Sequence, residues 1–262
     1  MQVHPLCDAR GSFPDPLELA FPGSGLTGEW LLHVHCFLLR LGAAVVLVDA
    51  GTGPAWAPAT RWFGRPGRLL DELMSVGVAP GEVSHVVLSH LHLDHTGWLV
   101  HGPEGAPEPT FPNARHLVQR ADLDRDRLGG LYATHVLPVL TAGLLDAIEG
   151  AAEPLPGIRL VPTPGHTAGH QSVVVDTGAE RLIISGDAFV HPAQVADPSL
   201  RYLYEDDPVQ ADKSRRALLA EAARRPTVLA PAHFDSTLAL LDVGEDGTAA
   251  VRVRARCDRR DR

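Results

Sequence analysis

The stretch His90-Leu91-His92-Leu93-Asp94-His95 decides how the rest of the chain is read. Three imidazoles and a carboxylate fall within one short run. The apolar segment Val83 to Ser89, which reads as a buried strand, leads directly into it, and a helix is expected over Thr96 to Val100. Any one of these histidines alone would read as a satisfied surface or core residue. The His-x-His-x-Asp-His spacing at a strand-to-helix junction instead reads as a ligand cluster, because that context presents side chains from a rigid frame.

Outward from this run, the same logic recurs. Trp30 to Leu41 and Ala43 to Asp49 read as a hairpin turning near Gly42, the second strand continuously apolar and closed by Asp49-Ala50-Gly51-Thr52-Gly53. Leu69 to Val76 reads as a short amphipathic helix, Arg115 to Val118 as a strand and Leu137 to Glu149 as a helix. Ile158 to Val161 and Gln171 to Asp176 are strands flanking Thr163-Pro164-Gly165-His166-Thr167, and Arg181 to Ser185 delivers Gly186-Asp187. Asp207-Pro208 starts a helix, with Asp as cap and Pro in first position, running to about Arg225. Thr227 to Ala230 is a last buried strand ending at Pro231-Ala232-His233. Alternating strands and helices without a splitting linker predict one α/β domain over residues 1–262, with an N-terminal segment 1–29 and a mobile basic tail 250–262.

Bulk properties narrow the function. A hydrophobic fraction of 45% supports a buried core, and no apolar run reaches the roughly 20 residues that cross a bilayer. The N-terminus lacks the pattern of a secretory signal, so a cytoplasmic location without membrane attachment is expected. A net charge of −9 argues against a nucleic-acid partner and leaves a small-molecule substrate, with the chain a monomer or homodimer. Cys7, Cys36 and Cys257 are widely spaced and read as reduced structural thiols. The informative count is 14 histidines, several of them clustered.

Histidines and carboxylates at strand ends, His90, His92, Asp94, His95, His166, Asp187 and His233, are enough for two metal ions with an open edge. With this set in view the sequence resembles the metallo-β-lactamase fold superfamily. The resemblance rests on His90-Leu-His-Leu-Asp-His95, Pro164-Gly-His-Thr167, Ser185-Gly-Asp187 and Ala232-His233, in that order, over roughly residues 30 to 235. It implies an αββα sandwich with His90, His92 and His166 on a first metal and Asp94, His95 and His233 on a second, and with Asp187 bridging both. Asp49 matches the family's early acidic residue and is the candidate to orient a ligating imidazole. Imidazole and carboxylate suit two zinc ions, with iron, manganese or cobalt also compatible.

The resemblance further implies hydrolysis of a lactone, carboxylic ester or phosphotriester, in which a hydroxide bridging the metals is the nucleophile and Asp187 and Asp94 are the catalytic carboxylates, Asp94 also moving a proton. The segments Val190 to Gln194, Glu205 to Pro208 and Ala232 to Phe234 favour the lactonase and organophosphate-hydrolase branch. A thioesterase of the glyoxalase II kind and a mononuclear iron sulfur dioxygenase are the alternatives. Two positions depart from the pattern: Val190 stands where lactonases place a tyrosine, and Trp98 stands where a second glycine is usual. Trp56, Trp62, Phe63, Trp98, Tyr202 and Tyr204 are candidates for the wall of a substrate pocket, while His170 reads as a structural or supporting residue and His191 as the opening of a loop, outside the pocket set.

Overall fold

The computed structural model describes residues 1–178, 180–244 and 248–256. The chain folds as two compact units, one of residues 1–12 and 34–150, the other of residues 13–33 and 151–262. Among the described residues no helix is long and apolar enough to cross a membrane.

The first unit is built on a six-stranded sheet. Its strands are β1 (Gln2–Ser12), β2 (Leu31–Leu41, in this unit from Val34), β3 (Ala44–Val48) and β4 (His85–Val87). A two-stranded ribbon of β5 (Val100–His101) and β6 (Glu108–Pro109) follows, then β7 (Arg115–Gln119) and β8 (Leu145–Ile148), and the sheet order is β1-β2-β3-β4-β7-β8. The β2–β3 hairpin is antiparallel, and β3, β4, β7 and β8 are mutually parallel neighbours. The apolar run of β3 and the Val86–Leu88 run at the end of β4 are buried, and their core includes Leu38, Leu47, Val86, Leu88, Val118 and Phe111. Parallel pairing also sends the C-terminal ends of β3 and β4 to one edge, where Asp49 and Ser89 follow.

The second unit carries a seven-stranded sheet. After β9 (Ala152–Leu155) come β10 (Ile158–Pro162), β11 (Gln171–Asp176), β12 (Arg181–Gly186), β13 (Thr227–Pro231), β14 (Ser236–Val243) and β15 (Ala249–Arg256), in the order β15-β14-β13-β12-β11-β10-β9. β10–β11 and β11–β12 are antiparallel and β12–β13 is parallel, so β10, β12 and β13 all end at the same edge. His166, Asp187 and His233 follow those three ends. The helix Pro208–Ala222 is capped by the Asp207 side chain, which accepts from the backbone N–H of Val209 and Gln210. The turn holding His166 lies on the start of that helix: a Cβ on Gly165 would fall 2.2 Å from the Ala211 nitrogen, and Gly165 sits at φ 132°. Only glycine fits there.

Most expected elements form, with four differences. The helix expected over Thr96 to Val100 lies earlier, at Leu93–Thr96; a single tight turn over Gly97–Leu99 follows, and Val100 already belongs to β5. The helix expected over Leu137 to Glu149 stops at Thr141, because Gly143 takes φ 72° and the chain turns back to pair as β8 with β7. Residues 249–256, within or beside the expected tail, pair with β14, and residues 257–262 lie outside the described part. Cys36 is free and buried, but Cys7 is disulfide-bonded, against the expectation of reduced thiols; Cys257 lies outside the described residues. Wide spacing in sequence carries no information on how closely two Cβ atoms approach.

Two further histidines lie outside the expected ligand set. His116 on β7 is fully buried, and burial pulls it down to about 4; burial pulls His135, whose Nδ1 meets the Thr134 hydroxyl, down to about 4 as well. The unfolded chain takes up protons near pH 6.5 that these two sites refuse until about pH 4, so folding stability falls as pH drops through that window and levels off below it. Each site contributes about 3 kcal/mol to that fall. Urea titrations at pH 7 and pH 4.5 are expected to show a smaller loss for His116→Leu than for wild type, by roughly 2–3 kcal/mol. An equal loss in both would contradict this origin.

Candidate metal centre

In the first unit, the turn after β4 brings its donors together. The His90 ring lies 4.5 Å from that of His92 and 4.2 Å from that of His95, and Asp94 Oδ1 is 3.9 Å from His95 Nε2. His90, Asp94 and His95 are buried, and His92 is half-buried.

Asp49 organises this cluster. Its Oδ1 accepts from the Ser89 backbone N–H at 2.7 Å, and its Oδ2 accepts from the Ser89 hydroxyl at 2.8 Å and from His95 Nδ1 at 2.9 Å. A carboxylate accepts only, so His95 carries its proton on Nδ1 and turns the lone pair of Nε2 outward. The Ser89 hydroxyl, already donating to Asp49, accepts from His90 Nδ1 at 3.0 Å, which leaves His90 Nε2 likewise a lone-pair donor. Asp49 also sits at φ 62°, the one non-glycine residue with positive φ among the described residues. Aspartate tolerates that region better than most residues, yet the conformation stores strain where the carboxylate must point.

The turn from Asp49 to Gly53 is stitched to the histidine run. Ala50 N–H donates to the His95 carbonyl, Gly97 N–H to that of Gly51 and Trp98 N–H to that of Ala50, all within 2.8 Å. A Cβ on Gly97 would fall 2.1 Å from the Thr52 carbonyl carbon, so glycine alone permits the approach. Asp8 of β1, which nothing in the sequence marks, completes the stitch. Its buried carboxylate accepts from Thr52 N–H and Oγ1, both at 2.7 Å, from Leu69 N–H at 2.8 Å and from Trp98 Nε1 at 3.2 Å. Burial raises its pKa, and those four donors work against the rise. Trp98 thus braces this turn through its indole N–H. Burial, with the Asp8 and Asp49 charges behind it, pushes the Cys36 thiol well up, which leaves it inert.

In the second unit, Asp187 lies between two imidazoles: Oδ2 is 3.2 Å from His166 Nε2 and Oδ1 is 3.0 Å from His233 Nε2. His233 donates from Nδ1 to the His33 carbonyl at 2.7 Å, so its Nε2 too presents a lone pair. Donating the far nitrogen to a carboxylate, hydroxyl or backbone carbonyl is the support that metal-holding histidines have. His90, His95 and His233 all show it. The residues present fit hard-to-borderline divalent cations, with imidazole nitrogen and carboxylate oxygen and no thiolate among them.

Tyr202 is 6% exposed and lies nearly parallel to the His166 ring, 12° apart at 6.0 Å, against Phe21 and Trp30. Its loop is held by a buried ion pair between Glu205 and Arg215, whose Nε also donates to the Pro198 carbonyl. His191 packs on Phe21 and Trp30 in the same aromatic group, and burial lowers its pKa. Tyr204 is largely exposed, with its hydroxyl donating to Asp15. In the first unit Trp56 donates from Nε1 to the Gly102 carbonyl and packs on His135, and the Phe63 ring stands against Gly11. Trp62 packs on Phe63, with ring centres 6.4 Å apart.

Residues 30–233 match the metallo-beta-lactamase superfamily, and the chain belongs to that family. An N-acyl homoserine lactonase of a Bacillus species is 33% identical over 165 residues, 57% of this chain and 61% of that protein. The Bacillus cereus N-acyl homoserine lactonase is 30% identical over 184 residues, 64% and 69% of the two chains. A probable metallo-hydrolase of Mycobacterium tuberculosis is 32% identical over 180 residues, 61% and 58%. The chain thus spans about three fifths of the length of the first of these relatives. Among solved structures, a probable metal-dependent hydrolase from Staphylococcus aureus superposes with a TM-score of 0.81 at 18% identity, covering 99% of this chain and 98% of that one. AidC, a dizinc quorum-quenching lactonase, gives 0.80 at 18% identity over 98% and 95%. These likenesses bear out the α/β, metallo-β-lactamase-type fold expected from the motifs.

Asp49→Asn keeps the size of the side chain but offers His95 Nδ1 an amide in place of a charged acceptor. Its zinc affinity, read by competition with a chromophoric chelator, is expected to fall about 10–100-fold with little change in thermal midpoint. Unchanged affinity would remove Asp49 from the site.

Proposed function

We propose that this chain is a dinuclear metal-dependent hydrolase of lactones and related esters, with N-acyl homoserine lactones the first substrates to try. The observation that carries the reading is Asp187, which offers one carboxylate oxygen toward His166 and the other toward His233. In this reading the two half-sets close on one pair of cations: His90, His92 and His166 on the first, Asp94, His95 and His233 on the second, with Asp187 shared. Zinc is the metal proposed, since the donors are imidazoles and carboxylates and AidC is a dizinc lactonase. Bound there, two divalent cations would make water nucleophilic at neutral pH and polarise the substrate carbonyl.

The chain's own residues do the rest. Asp187 would be the carboxylate shared by the pair and would offset its charge. Asp49 and Ser89 keep His95 and His90 in the tautomers that leave their Nε2 lone pairs outward. Asp94, buried beside His95, would take up the proton that water loses. Tyr202 is the pocket candidate the geometry supports, because its ring lies along His166 and would border an acyl group entering there. The position three residues after Asp187 is Val190, fully buried in the core, so no hydroxyl is supplied from it.

Elemental analysis should find two zinc ions per chain, and a panel of N-acyl homoserine lactones, aryl esters, thioesters and phosphotriesters should show its highest kcat/KM on the lactones. Asp187→Ala is expected to lose more than the roughly 100-fold that removal of a supporting partner costs. One iron per chain with sulfur oxygenation, thioesters preferred over lactones, or full activity in Asp187→Ala would each overturn the assignment.

A further inference from the structure

His170 lies four residues beyond His166 and is completely buried. It is held by bonds whose direction can be worked out. The Asp187 backbone N–H donates to His170 Nε2 at 2.9 Å. A nitrogen that accepts from an amide carries no proton, so the ring is neutral and its proton is on Nδ1. Nδ1 faces the Thr163 hydroxyl at 2.8 Å and the Thr163 carbonyl at 3.1 Å, and it donates to them. The Thr163 hydroxyl, receiving that proton, gives its own to Ser172 Oγ at 3.0 Å, and Ser172 gives its own to the Ser185 carbonyl at 3.2 Å.

The bonds form a nearly closed, one-way circuit. It starts at the amide of Asp187 and returns to the carbonyl of Ser185, two residues earlier, on the other side of Gly186. Thr163, His170, Ser172, Ser185 and Asp187 are all buried, so each donor that lost its acceptor would carry a desolvation cost. Ser185 and Gly186 are the end of β12, which aims the Asp187 carboxylate, and Thr163 opens the turn that carries His166. The circuit therefore ties two loops of the site together from behind, through the backbone of one and a side chain of the other.

We propose that His170 is a positioning residue for Asp187: a neutral imidazole, protonated on Nδ1, that holds the Asp187 backbone and so sets where its carboxylate lies relative to His166. This rests on the reading of Asp187 as the carboxylate shared by two cations. His170 needs no contact with metal or substrate, and its position within the Pro164-Gly-His-Thr-Ala-Gly-His170 stretch is explained without a ligand role.

The test uses the full chain. In metal-free wild type, ring nitrogen NMR should show His170 with a protonated Nδ1 and a bare Nε2, and the Asp187 amide should exchange slowly. His170→Leu removes both bonds. It should speed Asp187 amide exchange and weaken zinc binding, read by chelator competition, by about tenfold or more. His170→Gln can return an acceptor to the Asp187 amide and should recover most of both losses, which a merely space-filling role would not predict. Should His170→Leu fail to fold, Thr163→Val leaves the imidazole and the carbonyl acceptor in place, and an intermediate loss of amide protection and zinc affinity is expected. A proton on Nε2, wild-type zinc affinity in His170→Leu, or no gain from glutamine over leucine would overturn the inference. A wild-type protein that binds no zinc would instead sink the metal-centre reading, and ring tautomer and amide exchange would still decide the case for His170.

Discussion

A neutral imidazole presents its lone pair from one nitrogen while the other keeps the proton, and a fixed acceptor on that proton settles which nitrogen faces a cation. That constraint governs this molecule. His95 meets it with the Asp49 carboxylate, His90 with the Ser89 hydroxyl and His233 with the His33 carbonyl. Each acceptor comes from a different kind of group, and each is fixed by the end of a strand or the backbone of one. Parallel pairing of β3 with β4 sets Asp49 beside Ser89, and parallel pairing of β12 with β13 sets Asp187 beside His233. The sheets align the acceptors as much as the histidines they support.

The same residue type serves opposite ends elsewhere. Burial makes His116 and His135 poor proton acceptors. His170 is buried just as deeply but placed in a directed chain of polar groups. What separates a packing histidine, a supporting histidine and a ligand is the group facing each ring nitrogen, not the residue or its burial.

That distinction marks how far the sequence could be read. The donor set stood out because His90 to His95, His166, Asp187 and His233 each follow an apolar strand, a local pattern of spacing. The strands around them were legible for the same reason, and Asp49 through its place at the end of β3. Asp8 was not legible. Its four donors come from Thr52, Leu69 and Trp98, and only the fold brings those residues to β1. Trp98 departs from the glycine pattern, and its indole N–H on Asp8 accounts for the departure. The stretch after Thr141 read as helix because Leu144 to Ile148 is apolar at either period, and Gly143 with pairing to β7 decided for strand. The aromatic group around Tyr202 draws Phe21 and Trp30 from a segment that carried no motif at all.

The contact between Gly165 and the start of the helix Pro208–Ala222 bears on how such a protein can be re-engineered. With backbone against backbone, the His166 turn and the helix have no layer of side chains between them to absorb a change. Randomised libraries aimed at new substrates would do well to hold residues 165 and 211 constant and to diversify the loop around Tyr202, where side chains meet side chains and one replacement can be compensated by another.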